Sequence, residues 1–226
     1  MKQRILSVLL LCMGVAALTS CQKDVEIWDS ATLEYSGRYV VKFIDAQGES
    51  TDYDGSEVYI YNTVNNVANE LWIEDKGHHI PLKSKFTLNG SPDSFVSTQK
   101  DFGQLTDNLL AITLPTAAEK IAAPTKAGET ATVSREAVRA YITEGKITRG
   151  TVTTKGGNIA DGITLKLTLL GGKVTFKSVQ KPKGEWANPN VPEFAWKFDS
   201  VAPDTTKDTT VTIEGYSYTG YPEDLY

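Results

Sequence analysis

Apolar residues recur at every second position in one short segment after another between residues 38 and 214. Alternation of this kind places successive side chains on opposite faces of an extended strand. No segment is long enough to supply the helix that joins parallel strands, so the pattern predicts an antiparallel sheet. The predicted strands are Arg38–Ile44, Glu57–Asn62, Glu70–Glu74, Leu82–Leu88, Ser94–Thr98, Leu109–Leu114, Lys146–Val152, Ile163–Leu169, Val174–Lys177, Phe194–Phe198 and Thr210–Glu214.

The middle of the chain is less regular. Residues 115–132 are rich in Ala, Thr, Lys and Gly and predict a loop, with a short helical turn near 117–122. Residues 135–143 fit two structures: a helix capped by Ser134, or a strand over 138–142 that turns at Glu144-Gly145. We favour the strand.

One glycine pair predicts a tight hairpin. Leu170-Gly171-Gly172-Lys173 separates two alternating segments, and adjacent glycines supply the positive φ angles that such turns need.

This many short strands in one domain leave two architectures, a sandwich or a closed barrel. The Cys–Trp–Cys pattern of immunoglobulin sandwiches is missing. We therefore favour an all-β fold, a single antiparallel barrel of about eight to ten strands with little helix, over residues 36–226.

The N-terminus has the features of a secretory signal. Lys2 and Arg4 precede an apolar run over 5–18, which is shorter than the roughly 20 residues needed to span a bilayer. Leu18-Thr19-Ser20-Cys21 resembles the lipobox of bacterial lipoproteins. We predict a signal peptide over 1–20, lipidation of Cys21 and a tether over 21–35; the alternative is an ordinary cleaved signal.

The cysteines and charges narrow the class further. The two cysteines are Cys12, lost with the signal, and Cys21, so the mature domain has no disulfide. Without Lys2 and Arg4, 21 basic residues stand against 28 acidic ones. This balance argues against a nucleic-acid partner and against docking on anionic lipid. Residues 22–26 resemble the acidic tract of Bacteroidota surface lipoproteins, which implies the outer membrane.

No residues stand out as a catalytic or metal centre. His78 and His79 are adjacent, so an extended backbone points them to opposite faces, and a zinc site needs three protein ligands. Glu74 to His79 is expected to be a solvated loop. The chain has no Gly-x-Ser-x-Gly turn and no phosphate-binding Gly-rich loop. We predict no metal, no cofactor and no identifiable catalytic residue.

Several strands are apolar or aromatic on both faces. Such strands are either covered on both sides or line a cavity on one side. A cavity would favour an apolar ligand, whereas plain core packing would only bring tyrosine hydroxyls to the rim. On the cavity interpretation, the expected ligand contacts are Tyr39, Tyr59, Tyr61, Trp72 and Trp196.

Three motifs carry a family resemblance: residues 59–66 (YIYNTVNN) running into 70–75 (ELWIED), residues 144–147 (EGKI), and residues 215–224 (GYSYTGYPED). On these motifs the chain resembles the Bacteroides-type "lipid-binding putative hydrolase" lipoproteins from about Trp28 to Tyr226. The resemblance implies a calycin-like or lipocalin-like barrel and lipid binding. It transfers no catalytic residue.

The favoured hypothesis is therefore a monomeric, lipid-anchored envelope protein whose barrel binds a hydrophobic small molecule, a lipid or a fatty acid. One alternative is an esterase-like hydrolase. Another is an accessory module that binds glycans or proteins through the aromatic residues Trp186, Tyr216, Tyr218 and Tyr221, although these rings would also serve simply to close the barrel end.

Overall fold

The computed structural model describes residues 29–77, 79–105, 110 and 112–225. Helix in these ranges is limited to short 3₁₀ turns, and no described helix is long and apolar enough to cross a membrane. The predicted all-β antiparallel fold is confirmed. Its strands are β1 (Gly37–Ile44), β2 (Glu57–Asn62), β3 (Glu70–Asp75), β4 (Lys83–Ser91), β5 (Ser94–Ser97), β6 (Thr130–Thr153), β7 (Ile159–Gln180), β8 (Phe194–Pro203) and β9 (Thr209–Ser217).

The strands form one sheet that closes into a ring. Neighbours follow the order β6-β5-β4-β3-β2-β1-β9-β7, and β7 pairs back onto β6 to complete the circle. Closure removes the free edges that an open sheet would expose over this part of the fold. The barrel, rather than the sandwich, is the architecture found.

Two long strands carry the sheet beyond the barrel. Residues 162–169 of β7 pair with β9, whereas residues 172–180 pair with β8 along the same edge. The first residues of β6, 130–135, pair with the other edge of β7 there. These three strand segments form a short sheet that projects from the barrel, which we call the extension.

The barrel interior is filled by side chains. One continuous apolar cluster is contributed by all eight ring strands, and none of its buried members is more than 8% exposed. At the end where the described chain enters, Tyr35 packs edge-to-face on Phe95 with ring centroids 5.2 Å apart. The Tyr39 hydroxyl donates to the Tyr35 carbonyl at 2.9 Å. We call this closed end the base.

The extension has a small core of its own. Val138, Val174 and Phe176 are buried there, with Trp196 packed against them. The segment between β5 and β6 lies over this face: the Trp196 indole donates to the Ala122 carbonyl at 3.1 Å. A second anchor is the paired hydrogen bonds from Arg135 to Glu119 at 2.9 and 3.0 Å.

Three local predictions are wrong. Residues 110 and 112–114 belong to no strand, although the pattern predicted one over Leu109–Leu114, and Leu110 instead packs into the barrel core. Residues 135–143 are strand, as favoured, but β6 continues through Glu144-Gly145 without turning. Likewise β7 runs straight through Gly171-Gly172 where a hairpin was predicted.

Those two glycines are required by close packing rather than by a turn. The edge of β7 passes from β9 to β8 at Gly171, and the β8–β9 connection presses against it there. A Cβ on Gly171 would lie 2.3 Å from the Lys207 Cβ and 2.7 Å from the Asp204 carbonyl oxygen. A Cβ on Gly172 would lie 2.5 Å from a methyl of Val138. The paired glycines therefore allow the β8–β9 connection and a side chain of β6 to pack closely on β7.

The aromatic C-terminal segment packs on the outside of the barrel. Tyr216 covers the outward side chain of Val40, and its hydroxyl donates to the Asp224 carbonyl at 2.9 Å. The Asp224 carboxylate is fully buried and accepts hydrogen bonds from the Gly156 amide and the Asn158 side chain, each at 2.9 Å. This carboxylate fastens the tail to the loop between β6 and β7.

The close packing at Gly171 predicts a selective loss of stability. Gly171→Ala should lower the free energy of unfolding by roughly 1–3 kcal/mol, the usual cost of overpacking. Gly184→Ala is the matched control, because a Cβ there meets nothing within 4 Å, and it should leave urea unfolding nearly unchanged. Equal effects of the two substitutions would contradict this account.

The Asp224 carboxylate predicts an acid-dependent loss of stability. Burial opposes its ionisation, but hydrogen bonds from Thr219, Thr154, Asn158 and Gly156 outweigh burial and lower the pKa of Asp224 from 3.8 to about 2. Because the folded-state pKa is the lower one, this stabilisation is present above pH 3.8 and is lost as pH falls through about 2.

Asp224→Asn should therefore be less stable than the wild type at neutral pH, and the difference should shrink as pH falls toward 2. Urea unfolding at a series of pH values measures this difference. A difference that does not change with pH would show that the charge of Asp224 is irrelevant.

Candidate functional site

The five residues predicted as ligand contacts lie in three separate places. Tyr39 is buried in the barrel base, where burial raises its pKa to about 12. Tyr59, Tyr61 and Trp72 are half-buried on the outer face of β2 and β3. Trp196 belongs to the core of the extension. None of the five lines either of the two pockets found among the described residues.

The outer aromatic face is held by a charged network. Glu74 accepts hydrogen bonds from Lys76 at 2.9 Å, Tyr61 at 2.9 Å and Lys83 at 3.2 Å. The bond from Lys76 is the main reason that the pKa of Glu74 is lowered to about 2. Burial and the bond to Glu74 raise the pKa of Tyr61 to about 12. These groups satisfy one another and form a structural patch.

The doubly apolar strands have a simple explanation in this arrangement. In β1, Tyr39, Val41 and Phe43 face the barrel interior, whereas Val40 faces outward under the C-terminal tail. In β2 and β3 the outward rings lie on the barrel surface. The second apolar face of each strand is therefore an outer surface and does not line an internal cavity.

A pocket opens at the barrel end opposite the base, and we call it the mouth. Its volume is about 350 Å³. Apolar walls come from Phe43, Ile80 and Val211, which continue directly into the barrel core. The other lining residues are Asp45, Glu49, Ser50, Thr51 and His79.

The loop between β3 and β4 forms one wall of the mouth and is fixed by a buried carboxylate. Asp75 is 1% exposed and accepts from the Gly77 amide at 2.8 Å and from the Ile80 amide at 2.9 Å. The predicted solvated loop from Glu74 to His79 is therefore wrong at its start, because Glu74 and Asp75 are both buried. His78 lies outside the described residues.

The loop between β1 and β2 forms the facing wall. The Asp45 carboxylate stabilises the first turn of this loop. It accepts hydrogen bonds from the Gln47 amide at 2.9 Å and the Glu49 amide at 2.8 Å. Further along the loop, Thr51 lies beside β1, and its hydroxyl oxygen accepts a hydrogen bond from the Phe43 amide at 2.9 Å. These bonds bring the polar rim of the mouth directly over Phe43.

The two loops are joined by a chain of three polar side chains. His79 Nε2 lies 2.5 Å from the Ser56 hydroxyl oxygen, and the same hydroxyl also contacts the Asp54 carboxylate. The His79 ring lies on the Phe43 ring, with centroids 4.9 Å apart and planes inclined by 30°. These hydrogen bonds therefore hold the His79 ring in place as part of the wall of the mouth.

The single proton of the Ser56 hydroxyl determines which of these three side chains donates each hydrogen bond. A hydroxyl has one proton to donate. The Ser56 hydroxyl donates it to Asp54, and this bond is the main reason that the pKa of Asp54 is lowered. His79 Nε2 must then carry its own proton and donate it to Ser56. The order of donation is His79 to Ser56 to Asp54.

A serine nucleophile needs the opposite direction. Its hydroxyl proton must pass to a histidine nitrogen that carries none. In this arrangement the Ser56 proton points away from His79, so the contact positions the ring and does not activate the serine. Among the described residues, no group of three His, Cys, Asp or Glu side chains is placed to hold a metal ion.

A second pocket, of about 180 Å³, lies on the barrel wall where β5 ends. Its lining is mainly polar and includes Glu70, Thr87 and Gln99. An apolar ligand therefore fits the mouth better than it fits this pocket.

Sequence reasoning missed the apolar walls of the mouth. Phe43 and Val211 look like ordinary inward strand residues, and only the closed ring places both at the open end. Ile80 could have been identified from the sequence, because it is an isolated aliphatic residue in a polar loop between His79 and Pro81. Such a residue needs a partner surface, and here it packs against the core.

The chain matches a known protein family. Residues 24–222 fit the model of a family described as "lipid-binding putative hydrolase". No curated protein matches the chain significantly.

Proposed function

The chain belongs to the lipid-binding putative hydrolase family, and from this membership we propose that it binds one apolar chain of a lipid in the mouth. The observation that carries the proposal is the contrast between the filled barrel interior and the apolar pocket above Phe43, Ile80 and Val211. A lipid tail needs apolar surface that water can leave, and the mouth offers such a surface at an accessible site.

The size of the mouth limits what it can hold. Its 350 Å³ lies near the lower end of the range of small-molecule pockets, about 300–1,000 Å³. The interior below it is occupied, so a second acyl chain has no place to go. The proposed ligand therefore has a single chain, and its polar group remains at the rim.

We also propose that Cys21 carries the lipid anchor and that the protein stands on the outer membrane. Residues 1–28, which contain the signal and Cys21, lie outside the described residues. The sequence Leu18-Thr19-Ser20-Cys21 behind the apolar run supports the anchor, and the first described residues lie at the base. The Ala31 amide donates to Asn66 at 2.9 Å, and Thr32 and Tyr35 are buried at the base.

The tether therefore joins the barrel at the base, and the mouth lies at the opposite end of the barrel from this junction.

The proposal predicts that mouth substitutions weaken binding and that outer-face substitutions do not. Ile80→Ser removes apolar contact area and should raise the dissociation constant of dodecan-1-ol roughly tenfold. Trp72→Ala on the outer face is the control and should leave the constant unchanged. Displacement of the uncharged fluorophore N-phenyl-1-naphthylamine measures both, with circular dichroism to verify the fold.

Two results would contradict the proposal. One is an unchanged affinity in a folded Ile80→Ser variant. The other is a loss of binding in Trp72→Ala, which would move the site to the outer aromatic face.

The anchoring proposal has its own test. Cells grown with an alkyne-tagged palmitate should label the wild-type protein, and Cys21→Ser should abolish the label, because the thiol is the acylation site. Cys12→Ser is the matched control and should retain it. A wild-type protein without label, recovered in the soluble envelope fraction, would refute the anchor.

A further inference from the structure

The rim of the mouth presents more hydrogen-bond acceptors than donors; the Thr51 hydroxyl, whose oxygen accepts from the Phe43 amide, still has a proton to donate. Two carboxylates line it, those of Asp45 and Glu49. Both side chains are exposed to solvent. Each carboxylate offers about four lone-pair positions and no proton.

Intramolecular bonds use only part of this capacity. One oxygen of Asp45, Oδ1, accepts the two amides that fold the loop, which leaves Oδ2 for a ligand. No hydrogen bond to the Glu49 side chain is found among the described residues. Three carboxylate oxygens of the rim therefore have no hydrogen-bond partner among the described residues and remain available to a ligand.

His79 adds a further acceptor. When the ring is uncharged, donation from Nε2 to Ser56 leaves its lone pair on Nδ1. Ser50 directs its hydroxyl proton to the Thr51 carbonyl at 2.8 Å, so this proton is also in use. The acceptors of the rim thus outnumber its donors.

The described lining contains no lysine or arginine to balance these charges. The described lysines nearest in sequence to the two mouth loops face carboxylates elsewhere. Lys42 lies 3.5 Å from Glu214, and Lys76 lies 2.9 Å from Glu74. Asp45 and Glu49, both acidic, are therefore the Asp, Glu, Lys or Arg side chains among the described residues that line the mouth.

We infer that the mouth selects a lipid whose head group donates hydrogen bonds, an alcohol or an ammonium, and rejects a free fatty acid. This inference rests on the proposed function and names the class of ligand. A carboxylate placed among Asp45, Glu49 and the His79 lone pair would meet like charge and unmatched acceptors. A hydroxyl or an ammonium would satisfy the same groups.

Three ligands with the same twelve-carbon chain isolate the head group. They are dodecan-1-ol, dodecylammonium and dodecanoate, each used below its micelle concentration to displace N-phenyl-1-naphthylamine at pH 7.4. A like charge roughly 5 Å from two carboxylates in water should weaken binding about 5- to 20-fold at low salt. Dodecanoate should therefore bind that much more weakly than dodecanol, and dodecylammonium should bind at least as tightly.

Salt and one substitution identify the cause. The difference in affinity between dodecanoate and dodecanol should become smaller as ionic strength rises from about 0.01 M to about 0.15 M. Over this range the Debye length falls from about 30 Å to about 8 Å, so the repulsion is screened more strongly. Glu49→Gln removes one of the two like charges and should therefore lower the ratio of the dodecanoate and dodecanol dissociation constants about 3-fold. Glu144→Gln, an exposed change on the outer wall of β6, should leave all three affinities unchanged.

The outcomes separate the two proposals. If dodecanoate binds as tightly as dodecanol, or if Glu49→Gln leaves their ratio unchanged, the head-group inference is overturned while lipid binding in the mouth stands. If none of the three displaces the fluorophore, both proposals are overturned.

Discussion

The pairing of β6 with β7 closes the ring, and most other features of the molecule depend on it. Closure forces the inward residues of eight strands into one small volume, where they exclude water from each other. The interior is thereby used for stability and leaves no large internal cavity among the described residues. The two ends of the barrel must then differ: the base is sealed by Tyr35, Tyr39 and Phe95, and the other end is left to the loops.

At the open end, polar side chains hold the loops in place above the apolar strand residues Phe43 and Val211. Asp75 fixes the loop that carries Ile80, and the chain from His79 through Ser56 to Asp54 joins that loop to its neighbour. Each of these bonds uses a group that would be costly to bury alone, so the loops have few other stable arrangements. The mouth is therefore largely formed before any ligand arrives, which reduces the ordering cost of binding.

The fold was predictable from the sequence wherever one side of a strand was buried, because period-two alternation reports burial directly. The alternating stretches of β1, β2, β3, β4 and β7 all appeared as predicted. The hairpin predicted at Gly171-Gly172 was wrong because a pair of glycines is equally typical of a hairpin turn and of a strand on which another segment packs closely. Only the three-dimensional path of the β8–β9 connection past Gly171 distinguishes the two.

The site was less predictable, since the mouth is assembled from loops and strand ends that are distant in sequence. Phe43 and Val211 are 168 positions apart in numbering (211 − 43) and meet only through the pairing of β1 with β9. The sequence predicted Tyr59, Tyr61 and Trp72 as ligand contacts because they are aromatic, but the structure places them on the outer surface. Their part in ligand binding stays a prediction, and the geometry favours the smaller aliphatic residues of the mouth.

The central claim is the location of the ligand, and intermolecular nuclear Overhauser effects test it most directly. The mature domain would be labelled at its Ile and Val methyl groups and mixed with unlabelled dodecan-1-ol. The account predicts contacts from the alkyl chain to the methyl groups of Ile80 and Val211. Contacts that avoid both residues and appear instead at Val174 in the core of the extension would contradict it.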